Sequence, residues 1–160
     1  MALAYRSTEK FLQPDAKYKS KLITKFINCL MKKGKKSTAE KIFYGAMDLI
    51  EKKVSDVAPI ELFETAVNNV KPLVEVRSKR VGGATYQVPV EVPRQRQIAL
   101  TIRWIIEAAK SKKGRPMFQR LADELMDAYK KQGISITKRE NTHKMAEANK
   151  AFAHFAWSKF

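Results

Sequence analysis

The chain has 160 residues, of which 32 are Lys or Arg and 16 are Asp or Glu, a net charge of +16. A chain of this size can bury roughly two-thirds of its unfolded surface and fold without a metal or disulfide. The single cysteine, Cys29, excludes an internal disulfide and a cysteine-based zinc site, and no apolar run approaches the ~18 residues of a membrane span.

One domain is expected over residues 1–160, opening with an extended arm over residues 1–19 that mixes charge with Pro14 and Asp15 and shows no period. The first ten residues carry no apolar signal core. From Ser20 the pattern turns helical: Leu22, Ile23, Phe26, Ile27, Leu30 and Met31 recur at three- and four-residue steps. Cys29 sits among them and reads as a packing residue. Lys32 and Lys33 are placed in the last turn, and Gly34 suits a left-handed stop. A second helix is expected to open on a capping box, Ser37 with Glu40, and to bury Ile42, Phe43, Ala46, Met47 and Ile50. Pro59 opens a third, with a stripe of Phe63, Ala66, Val67 and Val70, and Pro72 ends it.

The period then changes from 3.6 to 2 over residues 72–93. Val74 and Val76 alternate with Glu75 and Arg77, and Tyr86, Val88, Val90 and Val92 alternate with Gln87, Pro89 and Glu91. Gly82-Gly83 supplies the positive φ angles of a tight turn. Pro89 inside a strand implies an exposed edge, so the element reads as a two-stranded ribbon with a valine-rich base and a basic tip. Helices resume at Arg94 with Ile98, Ile102, Ile105, Ile106 and Ala109 on one face and Gly114 at the end. A fifth helix follows Pro116, with Leu121, Ala122, Leu125, Met126 and Tyr129, and closes at Gly133. A sixth is expected to open on a second capping box, Thr137 with Glu140, and to run through Met145 and Ala148 towards Phe152. The fold class is mainly α: a bundle of about six helices with a β-hairpin protruding between the third and fourth.

An excess of positive charge this large repels itself and is relieved by a polyanion. Four basic clusters carry it. Arg77, Lys79 and Arg80 lead into Val81, Gly82 and Gly83 with no acid nearby. One lysine would guard a strand edge; three cations beside a glycine pair fit phosphate contact. Arg96, Arg103 and Lys110 are seven apart and share a helix face opposite Ile98 and Ile105, and Lys113 continues it. Arg94 and Arg96 stand at a helix N-terminus, where the macrodipole opposes them by a few tenths to about 1 kcal/mol each. Lys32, Lys33, Lys35 and Lys36 surround Gly34. This segment fails as a P-loop, because Cys29 replaces the first glycine, Lys36 the Ser/Thr, and a helix rather than a strand precedes it. Lys138 and Arg139, read as a helix start, are followed by His143, Lys144, Asn149 and Lys150. His143 and His154 have no matched acids or cysteines, so His143 reads as a polar or stacking contact to RNA. Glu61, Glu64, Asp123 and Glu124 read as solvated helix positions, Trp104 as packing, and Trp157 as packing or stacking.

Several strings resemble a known family, small-subunit ribosomal protein seven in its bacterial or organellar form. They are Lys25-Phe-Ile-Asn28, Gly34-Lys-Lys-Ser-Thr-Ala39, Val74-Glu-Val-Arg-Ser-Lys-Arg-Val-Gly-Gly-Ala-Thr-Tyr-Gln-Val-Pro-Val-Glu-Val92, Arg103-Trp-Ile-Ile106 and Met145-Ala-Glu-Ala-Asn-Lys-Ala-Phe-Ala-His154. The resemblance implies a non-enzymatic constituent of the small subunit, in the cytoplasmic ribosome or its organellar counterpart, with no cofactor. It implies primary binding to the 3′ major domain of the small-subunit ribosomal RNA. Basic positions of the first, fourth and sixth helices (Lys25 among them) would face that RNA, and the tip Lys79 to Gly83 would approach exit-site tRNA and mRNA. Proteins nine, eleven and thirteen would be neighbours, and no membrane is involved. Bacterial members of that family often open with a run of arginines, whereas here only Arg6 precedes Lys10. The competing readings are an architectural DNA-binding protein with basic β-arms and an RNA-modifying transferase, which the lack of a cofactor motif disfavours.

Overall fold

The computed structural model describes residues 8–156. In chain order these form a 3₁₀ turn (Thr8–Phe11), α1 (Lys21–Leu30), α2 (Lys36–Lys53), α3 (Pro59–Val70), β1 (Val74–Val81), β2 (Ala84–Glu91), α4 (Arg94–Ser111), α5 (Met117–Tyr129), α6 (Ile134–Ala148) and a 3₁₀ helix (Lys150–Ala156). This is the mainly helical fold with one two-stranded antiparallel hairpin that the periodicities predict.

The apolar stripes meet in one core. Phe26 of α1, Phe43 of α2 and Phe63 of α3 form its centre, with ring centroids 5.4 to 5.5 Å apart. All three are fully buried, as are Ile50, Leu62, Ile102, Ile105, Leu121 and Leu125. Burying one such side chain contributes roughly 1.5–3 kcal/mol. The α5 helix lies against α2, α3 and α4, while α6 packs on α4 and the hairpin. Trp104 is buried, as expected.

The hairpin register pairs Val81 with Ala84 across Gly82-Gly83, and Val74 with Glu91 at the base. Gly82 (φ 58°) and Gly83 (φ 86°) both occupy the left-handed region, as a two-residue turn matched to strand twist requires. Counting ladder pairs from the turn places Pro89, opposite Val76, at a site whose N–H points outward. The missing donor therefore costs the ladder nothing.

Helix starts depart from the capping-box expectation. The α2 helix begins at Lys36 with Lys35 at the N-cap and no side-chain cap bond, so Ser37 already lies inside it. The α6 helix begins at Ile134, three residues before Thr137, whose Oγ1 instead donates to the Gly133 carbonyl at 3.0 Å. A tertiary contact replaces the local one: Glu124 Oε1, from α5, accepts Ser135 N–H at 2.9 Å and Ser135 Oγ–H at 2.7 Å. Glu124 is fully buried rather than solvated, and Lys112 Nζ lies 3.0 Å from its Oε2. Asp123 is half-buried between Lys53 and Arg115.

The segment before α1 is not simply extended from Thr8 onward. Asp15 is 7% exposed, and its carboxylate accepts from Lys17 N–H (3.0 Å), Tyr18 N–H (2.9 Å) and Tyr44 O–H (2.5 Å). These bonds pin the segment to α2. Residues 1–7, including Arg6, and Trp157 lie outside the described residues.

Candidate nucleic-acid interface

The structure brings two of the sequence-distant basic clusters together. Lys25 of α1 and Arg103 and Lys110 of α4 line one groove with Cys29, Ala99, Ile106 and Glu107. Lys110 also borders the adjoining groove, where Lys32, Lys35 and Arg120 rim an apolar floor of Leu30, Met31, Ala39, Ile42 and Met117. Lys33 is exposed on the same connection, and Lys36 is exposed at the first position of α2. Among the described residues none of Lys25, Lys32, Lys33, Lys35, Lys36, Arg103, Lys110 or Lys113 makes an ion pair. Cys29 is exposed in this groove, not in the core. Partial desolvation raises its thiol pKa, against the opposing pull of Lys25 and Arg103.

The local geometry sharpens the reason for this concentration. The α1 helix ends at Leu30, so Lys32 and Lys33 lie in the connection and not in the last turn. Lys33 (φ 52°) and Gly34 (φ 72°) turn the chain through the left-handed region. Lys35 and Lys36 then fall at the positive end of α2, which has no acid in its first turn. Arg94 and Arg96 likewise open α4 with no acid in its first turn. Placing cations at these helix ends works against the macrodipole, and an anion laid across them reverses the sign of the effect.

At the hairpin, Arg80, Gly82 and Gly83 are exposed and Val81 is half-buried. Lys79 Nζ donates to the Phe155 carbonyl at 2.5 Å. Strand β2 lies on the Lys150–Ala156 helix, where Tyr86 meets Phe152 and Phe155 at centroid distances of 5.2 and 4.9 Å. The valine-rich base is thus joined by an aromatic seam. Sequence reasoning also missed a buried acid: Glu75 is 7% exposed and receives both Arg96 (Nε to Oε1 2.6 Å, Nη2 to Oε2 2.9 Å) and Arg77 (Nε to Oε1 2.9 Å). Hydrogen bonding from Arg96 holds its carboxyl below the usual range. The available signal was phase, since Glu75 shares a strand face with Arg77.

The α6 cluster is mostly occupied within the chain. Lys138 pairs with Glu107 at 2.5 Å, and Arg139 donates to the Asn69 carbonyl at the end of α3. Because α6 starts at Ile134, neither residue lies in its first turn. His143 Nε2 accepts Leu73 N–H at 3.1 Å. Burial, aided by Arg139, lowers its pKa, so His143 holds the hairpin base rather than facing outward as a free ring. Asn149 Nδ2 donates to the Met145 carbonyl at 2.8 Å, and Lys150 lies 3.4 Å from Glu147. Lys144 remains exposed.

Among the described residues no group of three His, Cys, Asp or Glu could hold a metal, and no helix is long and apolar enough to cross a membrane. What the arrangement can do is bind a polyanion over a broad face. A family profile described as "Ribosomal protein S7p/S5e" matches residues 3–150. The "Small ribosomal subunit protein uS7" of Rhodopirellula baltica is 57% identical over 152 residues, 94% of this chain and 97% of the relative. The proteins of the same name from Syntrophobacter fumaroxidans (58% over 149 residues, 93% and 95% of the two chains) and Syntrophus aciditrophicus (59% over 147, 92% and 94%) are similarly close. The chain therefore belongs to the S7p/S5e family of ribosomal proteins, and it is a structural constituent of the small ribosomal subunit, not an enzyme.

Proposed function

We propose that the protein is a primary binder of the 3′ major domain of small-subunit ribosomal RNA, gripping its phosphates with the face built from Lys25, Lys32, Lys33, Lys35, Lys36, Arg103, Lys110 and Lys113. The observation that carries this reading is the meeting of α1, the α1–α2 connection and α4 in one surface of unpaired cations. Arg77, Arg94 and Arg96 extend the grip at the hairpin base. Lys138, Arg139, His143, Asn149 and Lys150 act mainly by holding α6 and the hairpin in place, and Lys144 is the outward cation of that helix. The tip, Lys79 to Gly83, reaches towards exit-site tRNA and mRNA, with small-subunit proteins nine, eleven and thirteen as neighbours. Since side chains cannot read the deep major groove of RNA, recognition is of shape and junctions.

The test is competition for the purified protein between a transcript of the 3′ major domain and duplex DNA. The transcript wins on this reading, and log affinity falls against log salt with a slope near −4 to −5 if about six phosphates are neutralised. Preference for DNA, or a slope near zero, would overturn it. Shortening the tip leaves most transcript affinity and disturbs tRNA or message placement; equal loss of transcript affinity from tip and α4 changes would refute that division.

A further inference from the structure

Glu75 is an acid placed inside the basic surface of a strongly cationic chain, and it faces two arginines from different elements. Arg96 comes from α4 and Arg77 from β1 itself. Both approach through the same edge, with Nε and Nη2 within 2.6 to 2.9 Å of the carboxylate. Each guanidinium carries five N–H donors in a fixed plane, so each retains its Nη1 pair, for which the described residues supply no partner. The carboxylate side is 9% exposed, whereas the arginine side chains are 45% and 55% exposed. The acid is covered and the cations are open.

We infer that Glu75 is a positioning residue for RNA: it holds Arg77 and Arg96 side by side so that their free Nη1 edges bind one backbone phosphate between the hairpin base and the start of α4. An unrestrained arginine loses side-chain freedom on binding. Two that are already oriented by a shared carboxylate lose less, and their planar forks suit bidentate phosphate contact. The inference rests on the reading that this face binds ribosomal RNA.

The sign of the effect separates positioning from simple electrostatics. Glu75→Gln adds a unit of positive charge, so a surface acting by net charge alone binds RNA more tightly. Positioning requires weaker binding. With the full chain and a transcript of the 3′ major domain, Glu75→Gln is expected to lower affinity about fivefold near 0.15 M salt and to flatten the salt slope by about 0.7–0.9, the loss of one phosphate. Arg96→Ala added to Glu75→Gln then costs little more, while alone in the native background it costs about as much as Glu75→Gln. Unchanged or tighter binding by a folded Glu75→Gln variant overturns the inference. If that variant unfolds, Arg96→Lys decides: it keeps the charge but not the fork, and wild-type affinity there overturns the inference as well. Failure of the wild-type protein to bind the transcript would instead sink the ribosomal RNA reading itself.

Discussion

The groove between α1 and α4 makes a quantitative claim. Replacing Lys25, Arg103 and Lys110 together by alanine removes three cations that line one groove and make no ion pair among the described residues. If each meets one phosphate, the salt slope becomes shallower by about 2–3. The same relation makes each contact worth about fivefold near 0.15 M salt, so the triple variant loses about a hundredfold in affinity there and progressively less as salt rises. A matched control removes three cations that are already neutralised: Lys17 (2.9 Å from Asp48), Lys53 (3.3 Å from Asp123) and Lys138 (2.5 Å from Glu107). Both variants lose the same formal charge, but the control should shift the slope by less than about 0.5. Filter binding of the transcript from about 50 to 300 mM salt reads both. Equal slopes for the two triples would show that total charge, not placement, sets affinity, and would refute the reasoning. The groove variant should keep its urea midpoint, because it removes mutual repulsion and no buried partner.

The remaining expectations concern the joints that hold this surface in shape. Glu124→Ala strips the cap from α6 and leaves Lys112 with Asp127 alone; losing the hydrogen bonds to this buried carboxylate costs about 1.5–3 kcal/mol, to be read from urea unfolding. Gly133→Ala should cost about 1–3 kcal/mol, since φ is +96° and an added Cβ would lie 3.0 Å from both Asp127 Cβ and Glu124 Oε1; an unchanged midpoint would contradict this. His143 must be neutral to accept Leu73 N–H, and its folded pKa lies below the ordinary 6.5. Its contribution is therefore complete above 6.5 and lost as pH falls through the folded value. Wild type should lose stability on acidification from neutral pH by more than His143→Gln, and identical profiles would remove His143 from that role.

The elements themselves were legible because their periods are long and clean. The stripes of α1 to α5, the change to alternation at Val74 and the glycine pair of the turn all depend on local spacing, and the structure follows them. Helix starts were misplaced where a distant side chain replaced a local cap, as Glu124 does for α6. Cys29 was misjudged for a related reason: its neighbours in sequence are core residues, but its position on α1 turns it towards Lys25 and Arg103. Of the candidate RNA contacts, Lys25 of α1, those of the α1–α2 connection, and Arg103 and Lys110 of α4 make no ion pair among the described residues, whereas Arg96 of α4 is held by Glu75. The α6 set is largely tied to partners, such as Asn69 and Leu73, that lie some 70 residues away in sequence. A one-dimensional pattern shows that a residue is polar and in phase, but not which carbonyl it will meet.

Three buried acids explain how so basic a chain keeps its shape. Asp15 ties the segment before α1 to Tyr44 of α2, Glu75 ties the hairpin to α4, and Glu124 ties α5 to the start of α6. Each acts where periodicity ends and a connection must be fixed, the place where apolar stripes have least to offer. Among the described residues no carboxylate makes an ion pair with the cations of the α1–α4 face. The free protein therefore retains its repulsion there. On the proposed function, a phosphate backbone laid on this face removes that repulsion, and binding adds to folding at most about 2.7 kcal/mol at a ligand concentration a hundred times Kd, reduced by whatever RNA the equally cationic unfolded chain binds. The placement of acids, more than the number of cations, is what leaves this face open to a polyanion.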